Sequence, residues 1–132
     1  MAIIYTSELK NELDLYKLYE ELDWNDFLKL DASQLNQAMK QSWLVIYAYD
    51  GDTLVGTGRI VSDGIINAYL CGLGVSNTFR NQGIGIEISR QLVEACKQRN
   101  LHIQFFCEKH LVPYYEKQGF VEFAVGMKVK YV

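Results

Sequence analysis

The sequence predicts a mixed α/β fold in which helices flank one central sheet. Between Trp43 and Val75, β-branched and aromatic runs alternate with turn dipeptides, a pattern typical of antiparallel strands. Before and after this stretch, apolar residues recur at helical spacing. Because a strand, a helix and another strand follow one another over residues 69–107, we also expect one parallel pair. The predicted sheet is mixed but mostly antiparallel, with roughly six to seven strands and about four flanking helices.

The chain begins with a β-like run that leads into two helices. The letters "AIIYT" predict the first strand, and Ser7 is then expected to cap a helix that ends near Leu22. A second short helix is predicted for "DASQLNQAMKQS", where Asp31 can cap the first-turn amides and Gln34 can complete a capping box. The segment "DWNDF" between the two helices is predicted to be a loop.

Three strands joined by two tight hairpins come next. Their sequences are "WLVIYAY", "TLVGTGRIV" and "IINAYLCGLGV". The dipeptide "DG" at residues 50–51 and again at 63–64 allows the positive φ angles that hairpin turns require. In the third of these strands, Gly72 and Gly74 weaken regular pairing, so they favour a bulge or a close approach by another part of the molecule.

The C-terminal half of the chain is predicted to alternate between helix and strand. After a glycine-rich turn, Ile84, Ile88 and Leu92 share one face of a long helix. The letters "HIQFFC" predict a fifth main strand, and "VPYYEKQG" predicts a short helix closed by Gly119. The final letters, "FVEFAVGMKVKYV", are predicted to form a last pair of strands or one bent strand.

Size, charge and cysteine usage limit the classes of function. A chain of 132 residues, 49% of them apolar, is expected to form one domain over residues 1–132. The net charge of -3 argues against a nucleic-acid partner, because phosphate binding needs clustered cations. Neither a membrane-spanning run nor a signal-peptide pattern is present, so we expect no membrane partner and a cytoplasmic location. Three widely spaced cysteines indicate free thiols and no metal site.

The stretch "TFRNQGIGIEIS", residues 78–89, places two glycines where a helix begins. A helix N-terminus presents unpaired N–H groups and a partial positive charge, and it therefore attracts phosphates. Two common phosphate-binding turns do not fit this stretch. A Walker loop needs a lysine at the position of Ile86, and a Rossmann turn needs glycine or alanine at the position of Ile88.

The pattern that remains is Arg80, Gly83 and Gly85 at this spacing, after a strand that ends in "LGV". It resembles the pyrophosphate loop of the GNAT superfamily of N-acyltransferases. Further stretches are similar to that family in the same order, namely "LYEELDW", "TLVGTGRIVSDG" with "YLCGLGV", and "YYEKQGF". On this resemblance, which covers about residues 18–123, the chain is identified as a member of the superfamily.

The resemblance implies acetyl-coenzyme A as the cosubstrate. Its pantetheine arm is expected to pair with the backbone of Leu73, Gly74 and Val75, where the fourth strand splays from the fifth. A free N–H near Leu73 or Gly74 is the expected donor to the oxygen that gains charge. The residues expected around the pyrophosphate are Arg80, Asn81, Gln82, Gly83, Ile84 and Gly85.

The resemblance also assigns the general acid to Tyr115, the second tyrosine of "YYEKQGF". A phenol with a pKa of ~10 can donate to the departing thiolate and stays protonated at neutral pH. Tyr114 is expected to pack in the core instead. The base is left open, because the related subgroup often has an acidic residue where Gly72 stands here. Glu108 is a further candidate that could contact cofactor, take a proton through water, or face solvent.

The acceptor is expected to lie under the first helices and their connecting loop. Tyr19, Trp24 and Phe27 could form the wall of that pocket. Arg59 could meet an acidic group of the acceptor, or it could pair with Asp63. The two histidines, His102 and His110, are expected to lie at the surface.

The sequence therefore predicts an acetyl-coenzyme A dependent N-acetyltransferase. The acetyl group would move to a primary amine of a small molecule or a protein by direct attack in a ternary complex. One alternative is a non-catalytic module that binds coenzyme A or regulates a partner, and another is a nucleotide-binding protein that uses the same turn. The acceptor, the acyl chain and the oligomeric state are left open, with a homodimer among the states considered.

Overall fold

Five strands and five helices follow one another in the computed structural model, which describes residues 2–131. Met1 and Val132, the two ends of the predicted domain, lie outside the described residues. In chain order the elements are β1 (Ile3–Thr6), α1 (Glu12–Glu21), α2 (Asn25–Leu28), α3 (Ala32–Lys40), β2 (Leu44–Asp50), β3 (Thr53–Ser62), β4 (Asn67–Val75), α4 (Ile84–Gln98), β5 (His102–Gln104) and α5 (Val112–Glu116). Short 3₁₀ turns at Asn77–Phe79 and Lys109–Leu111 come before α4 and α5.

The strands form one mixed sheet in the order β1-β2-β3-β4-β5. The first four strands pair antiparallel with their neighbours, and β4 pairs parallel with β5. Gly51 and Gly64, which lie in the two hairpin turns, have φ angles of +59° and +78°. The predicted mixed, mostly antiparallel sheet and its two glycine hairpins are therefore confirmed.

The C-terminal segment, residues 121–131, does not form the predicted strands. A strand needs a partner edge for its N–H and C=O groups, and the neighbouring edge, β5, is only three residues long. The segment follows β5 as far as Phe123, whose ring centroid is 5.9 Å from that of His102, and Gly126 then lies against Phe106. A groove of about 630 Å³ lies between this segment and the β5 side. Within the described residues the sheet thus has five strands, and the prediction of roughly six to seven is not confirmed.

The helix termini follow their capping residues. Asn11 caps α1 in place of the expected Ser7, because a capping box needs a side-chain acceptor three positions later. Asp14 supplies that acceptor after Asn11, whereas Lys10, which follows Ser7 at the same spacing, can only donate. The capping box predicted for α3 is confirmed, and the expected loop "DWNDF" contains most of the short helix α2. Across residues 2–131, no helix has the length and apolar character to cross a membrane.

Two apolar cores lie on opposite faces of the sheet. On one face, α4 buries Ile88 and Leu92 completely against β2, β3 and β4. Gly58 permits this close packing, since a β-carbon at that position would be only 2.9 Å from the Ile88 side chain. On the other face, α1 and α3 cover the fully buried Tyr49 and its neighbours. The sheet is therefore the middle layer of three.

The two faces of α4 give the first testable prediction. Ile88→Ala should lower the free energy of unfolding by about 3 kcal/mol, because a fully buried side chain leaves a cavity. Ile86→Ala, on the same helix but 45% exposed, should change it by less than about 0.5 kcal/mol. Urea unfolding followed by circular dichroism measures both changes, and equal losses in the two variants would contradict this packing.

Candidate functional site

Strands β4 and β5 separate soon after they meet. They pair only at Asn67–His102, Ala68–Ile103 and Tyr69–Gln104. Beyond these pairs, β4 continues to Val75 with β3 as its partner. The backbone edge of β4 on the β5 side is therefore unpaired with β5 from Leu70 onward. An opening of this kind can accept the extended backbone-like part of a ligand.

A bulge in β4 marks this opening. Thr57 pairs with Gly74 and Arg59 pairs with Cys71, so β4 holds one residue more than β3 over the same interval. The extra residue is accommodated at Gly72, whose φ of +63° is a conformation that side chains with a β-carbon rarely adopt. The bulge expected from the strand glycines is thus confirmed, and it re-aims β4 where the two strands diverge.

The connection between α1 and α2 covers the strand just past the bulge. Trp24 lies so close to Gly74 that an added β-carbon would be 2.5 Å from the indole ring. The indole packs edge-on against Tyr19, with 5.0 Å between ring centroids. The expected close approach at Gly74 is confirmed, and Tyr19 and Trp24 both lie at the bulge. Phe27 does not join them, because α2 directs it outward and leaves it 75% exposed.

The N-terminus of α4 is open to solvent. Gly83 is its N-cap residue with a φ of +80°, and no side chain caps the first turn. A β-carbon at Gly83 would meet no atom within 4 Å, so nothing in the described residues fills the space in front of it. Because the first amides of this 15-residue helix have no intrahelical acceptor, they form a donor group for an anion.

Two side chains fix the turn that leads to α4. The Nε of Arg80 donates to the carbonyl oxygen of Val75 at 3.3 Å, and the exposed guanidinium adds positive charge beside the turn. From α1, the carboxylate of Glu21 accepts from the Ser76 hydroxyl at 2.7 Å and from the Asn77 amide at 2.8 Å. Glu21 gives no signal in the sequence, since its partners are 55 and 56 positions away.

Tyr115 lies on α5 beside β5. Its ring packs edge-on against Phe105, with 4.7 Å between centroids, and borders the groove next to the C-terminal segment. Burial raises the pKa of the Tyr115 phenol, and nearby Tyr114 and Cys107 raise it further. The expectation that Tyr114 packs in the core is wrong, because it lies on the outer side of α5 and is 44% exposed.

The remaining titratable candidates lie at the surface. Glu108 is exposed at the start of the second 3₁₀ turn. Its backbone carbonyl oxygen accepts a hydrogen bond from the backbone N–H of Leu111. His102 and His110 are exposed, as expected. Among residues 2–131, no group of three His, Cys, Asp or Glu side chains has the proximity that a metal ion requires.

Arg59 lies on β3, on the face covered by α1 and α3. Its Nη1 donates to the Ser42 hydroxyl at 3.2 Å, while its Nε is buried and has no acceptor within the described residues. The expected alternative of pairing with Asp63 is wrong. The Asp63 carboxylate accepts the amides of Ile65 and Ile66 at 2.8 and 2.9 Å, and these bonds lower its pKa.

The predicted site residues thus fall into three groups. Leu73, Gly74 and Val75 lie on the diverging part of β4, and residues 80–85 follow them as the turn into α4. Tyr115 lies on the β5 side, and Glu108 is exposed on the same side. The structure therefore joins the first two groups through continuous backbone, with β5 and α5 on the far side of the opening.

Comparison with known proteins gives one consistent result. The sequence model of the family described as "Acetyltransferase (GNAT) domain" matches residues 14–130 of this chain. The chain is 29% identical over 130 residues to the uncharacterized N-acetyltransferase ycf52 of Porphyra purpurea, and the matched region covers 95% of this chain and 74% of that protein. It is 26% identical over 147 residues to the chloroplastic GCN5-related N-acetyltransferase 2 of Arabidopsis thaliana, covering 96% and 56%. A probable acetyltransferase from Staphylococcus aureus superposes with a TM-score of 0.81 at 18% identity, covering 98% of this chain and 100% of that one.

The contact between Gly74 and Trp24 gives the second testable prediction. Gly74→Ala should lower the free energy of unfolding by about 1–3 kcal/mol, because the methyl group would overlap the indole ring. Gly85→Ala is the matched control, since its β-carbon meets only Val75 at an ordinary 3.5 Å. That control should be neutral or stabilising by up to about 1 kcal/mol, as alanine favours the helix. Urea unfolding followed by tryptophan fluorescence tests both, and an undisturbed Gly74→Ala variant would contradict the contact.

Proposed function

The chain belongs to the GNAT acetyltransferase family, and from this premise we propose that it is an N-acetyltransferase that uses acetyl-coenzyme A. The proposed acceptor is a primary amine of a small molecule or a protein. The observation that carries the proposal is the juxtaposition of the splayed β4 edge with the uncapped N-terminus of α4. Together they offer a slot for an extended chain and a donor group for an anion, in the order in which coenzyme A presents its pantetheine and pyrophosphate.

The proposed donor site consists mainly of backbone. The pyrophosphate would accept from the amides of the turn and first helical residues, with Arg80 adding charge. Asn81 has a φ of +63°, which directs the chain into this turn. The pantetheine amides would pair with the free edge of Leu73–Val75. The proposed donor-binding residues are Leu73, Gly74, Val75, Arg80, Asn81, Gln82, Gly83, Ile84 and Gly85.

The proposed reaction is a direct transfer. The neutral amine nitrogen attacks the thioester carbonyl, a C–N bond forms, and the C–S bond breaks. An N–H of Leu73 or Gly74 donates to the oxygen that becomes negative in the transition state. Tyr115 donates its proton to the departing thiolate and regains one from the amine through solvent. Glu108 stands as a secondary candidate that would relay this proton through water.

A non-catalytic module that binds coenzyme A is the second candidate. It is favoured by one observation, namely that no carboxylate among residues 2–131 lies at the bulge at Gly72, so this position offers no general base. Free-thiol release from acetyl-coenzyme A with a panel of amines separates the two candidates. Tight binding without thiol release on any amine would support the module and reject the transferase.

The proposed setting is a reducing aqueous compartment such as the cytoplasm. All three cysteines are free thiols, and Cys107 is exposed, which suits such a compartment. The net charge of -3 supports a partner other than nucleic acid.

The C-terminal segment, whose apolar side chains are exposed, supports a homodimer as one proposed oligomeric state. Sedimentation can test this state.

The open space at Gly83 gives the third testable prediction. Gly83→Leu should raise the Kd of acetyl-coenzyme A by about tenfold or more, because the side chain would occupy the approach to the helix amides. Gly51→Leu is the matched control, since Gly51 also has a positive φ and open surroundings but lies in a distant hairpin. Both variants should lose about 1–2 kcal/mol of stability from the strained backbone. Calorimetric titration measures the affinities, and an unchanged Kd for Gly83→Leu would place the pyrophosphate elsewhere.

The phenol of Tyr115 gives the fourth testable prediction. Tyr115→Phe keeps the packing on Phe105 but should lower kcat about 100-fold and leave the Kd of acetyl-coenzyme A nearly unchanged. Because burial raises the pKa of this phenol above 10, the proton is present below that pKa, and activity should fall only as pH rises through it. The variant should lack this alkaline decline. Exposed Tyr114→Phe is the control, and equal kcat values in wild type and Tyr115→Phe would remove Tyr115 from the acid role.

A further inference from the structure

The C-terminal segment, residues 121–131, has the sequence of a strand but no strand partner within the described residues. Its odd-numbered positions are apolar and its even-numbered positions are charged or small, which is the alternation of a strand with one covered face. All the apolar side chains are nevertheless between 61% and 88% exposed, namely Val121, Phe123, Val125, Met127, Val129 and Tyr131. A continuous apolar face of this kind marks an interaction surface, whereas single exposed apolar residues do not.

The main chain of the segment is unpaired as well. Among residues 2–131, its N–H and C=O groups have no hydrogen-bond partner. A free edge of this length is a template for pairing with another strand. Side chains join the segment to the β5 side at three places: Phe123 against His102, Gly126 against Phe106, and Glu122 with Lys109 at 2.9 Å.

The groove between the segment and β5 has the direction that a second strand needs. Its volume is about 630 Å³, and α5 contributes Val112 and Tyr115 to its lining. The segment runs parallel to β5, because its contact with His102 comes before its contact with Phe106. A strand placed between two parallel strands can pair antiparallel with both of them. The same segment of a second copy, turned around by a two-fold axis, has this direction.

We propose that two copies of this chain form a dimer in which each C-terminal segment lies in the groove of the other copy. The order of strands across the interface is then β5, the second copy's segment, the first copy's segment, and the second copy's β5. A two-fold interface of this kind uses the same surface twice and closes on itself. The inference rests on the homodimer of the proposed function but on no catalytic step, so it stands even if no acetyl group is transferred.

One register satisfies the apolar and the charged side chains together. With Gly126 of both copies on the two-fold axis, every residue of one segment has a partner in the other. The apolar pairs across the interface are then Val121 with Tyr131, Phe123 with Val129, and Val125 with Met127. On the other face, the Glu122 carboxylate lies opposite the Lys130 ammonium of the second copy. This charge complementarity favours a second copy as the occupant of the groove.

The covered surface is large enough for a stable dimer. Phe123 and Tyr131 each bury roughly 150–250 Å² when they are enclosed. The other four apolar side chains of each segment add to this area. Two copies together therefore reach the ~1,200 Å² at which specific interfaces begin. The exposed pair of Lys109 with Glu122 must open when the second segment enters, and loss of such a pair costs little.

Sedimentation velocity of the whole chain over a series of concentrations tests the interface. Wild type should form a dimer, and Val125→Asp should raise its Kd at least about 100-fold, because a carboxylate would be enclosed among apolar side chains. Val125 is 85% exposed in the single chain, so this substitution should leave the fold intact. Ile65→Asp is the matched control, since Ile65 is 75% exposed in the turn between β3 and β4, and it should leave the Kd unchanged.

Three results of this experiment would overturn the inference: a monomer at all concentrations, an assembly larger than a dimer, or a dimer with the same Kd in wild type and Val125→Asp. The measurement needs neither acetyl-coenzyme A nor turnover. A monomer that acetylates amines would therefore reject the dimer and leave the transferase standing.

Charge reversal tests the register. Glu122→Lys and Lys130→Glu should each weaken the homodimer severalfold, since like charges then lie opposite each other. Mixed together, these two variants should form a heterodimer tighter than either homodimer, because both charge pairs are then opposite in sign. Glu122→Lys with Lys128→Glu is the control mixture, since Lys128 lies opposite Ala124 in this register. A heterodimer tighter than both homodimers in the control mixture, or its absence in the first mixture, would contradict the pairing.

Discussion

At Gly72 the backbone of β4 takes a φ of +63°, and one extra residue enters the strand opposite β3. This local geometry changes which way the rest of β4 faces. Strand β4 pairs with β5 only as far as Tyr69, and from Leu70 onward, through the bulge, it keeps only its partner β3. The free strand edge thus begins two residues before the bulge, and the bulge re-orients the part of that edge that follows it. A side chain at Gly72 would be strained by the positive φ and would crowd the Tyr19 hydroxyl, 3.3 Å from its β-carbon.

Around the bulge, the two faces of the sheet position different parts of the candidate site. On the α4 side, close packing at glycines of β3 fixes the helix whose N-terminus opens toward solvent. On the α1 side, the Tyr19 and Trp24 rings pack against each other and against β4 at Gly72 and Gly74. Glu21 connects the two sides, because it belongs to α1 but holds the turn that leads into α4. The position of α1 and the position of the turn that leads into α4 are therefore coupled through Glu21.

Local chemistry made much of this arrangement predictable from the sequence. Glycine dipeptides specify hairpins through their own φ angles, and the capping box of α3 lies within four consecutive residues. The glycines of β4 likewise predicted the bulge, found at Gly72, and a close approach, found between Gly74 and Trp24. What could not be predicted depends on distant partners. The C-terminal segment carries residues typical of a strand, but β5 is too short to pair with it. The exposure of Tyr114 and Phe27 depends on helix orientation that no local pattern encodes. Asp63, by contrast, is held by its own turn, since it accepts from the amides of Ile65 and Ile66.

The uncapped start of α4 has a consequence for how the two substrates would respond to acidity. Main-chain amides have no proton that titrates in the physiological range, and arginine side chains in general carry a permanent charge there. A donor site built from such groups holds a pyrophosphate equally well in mildly acidic and mildly alkaline solution. The acceptor amine, by contrast, must lose a proton before it can attack. On the proposed assignment, donor affinity is constant between about pH 6 and 9, and the rate rises over that range with the fraction of acceptor amine that is neutral.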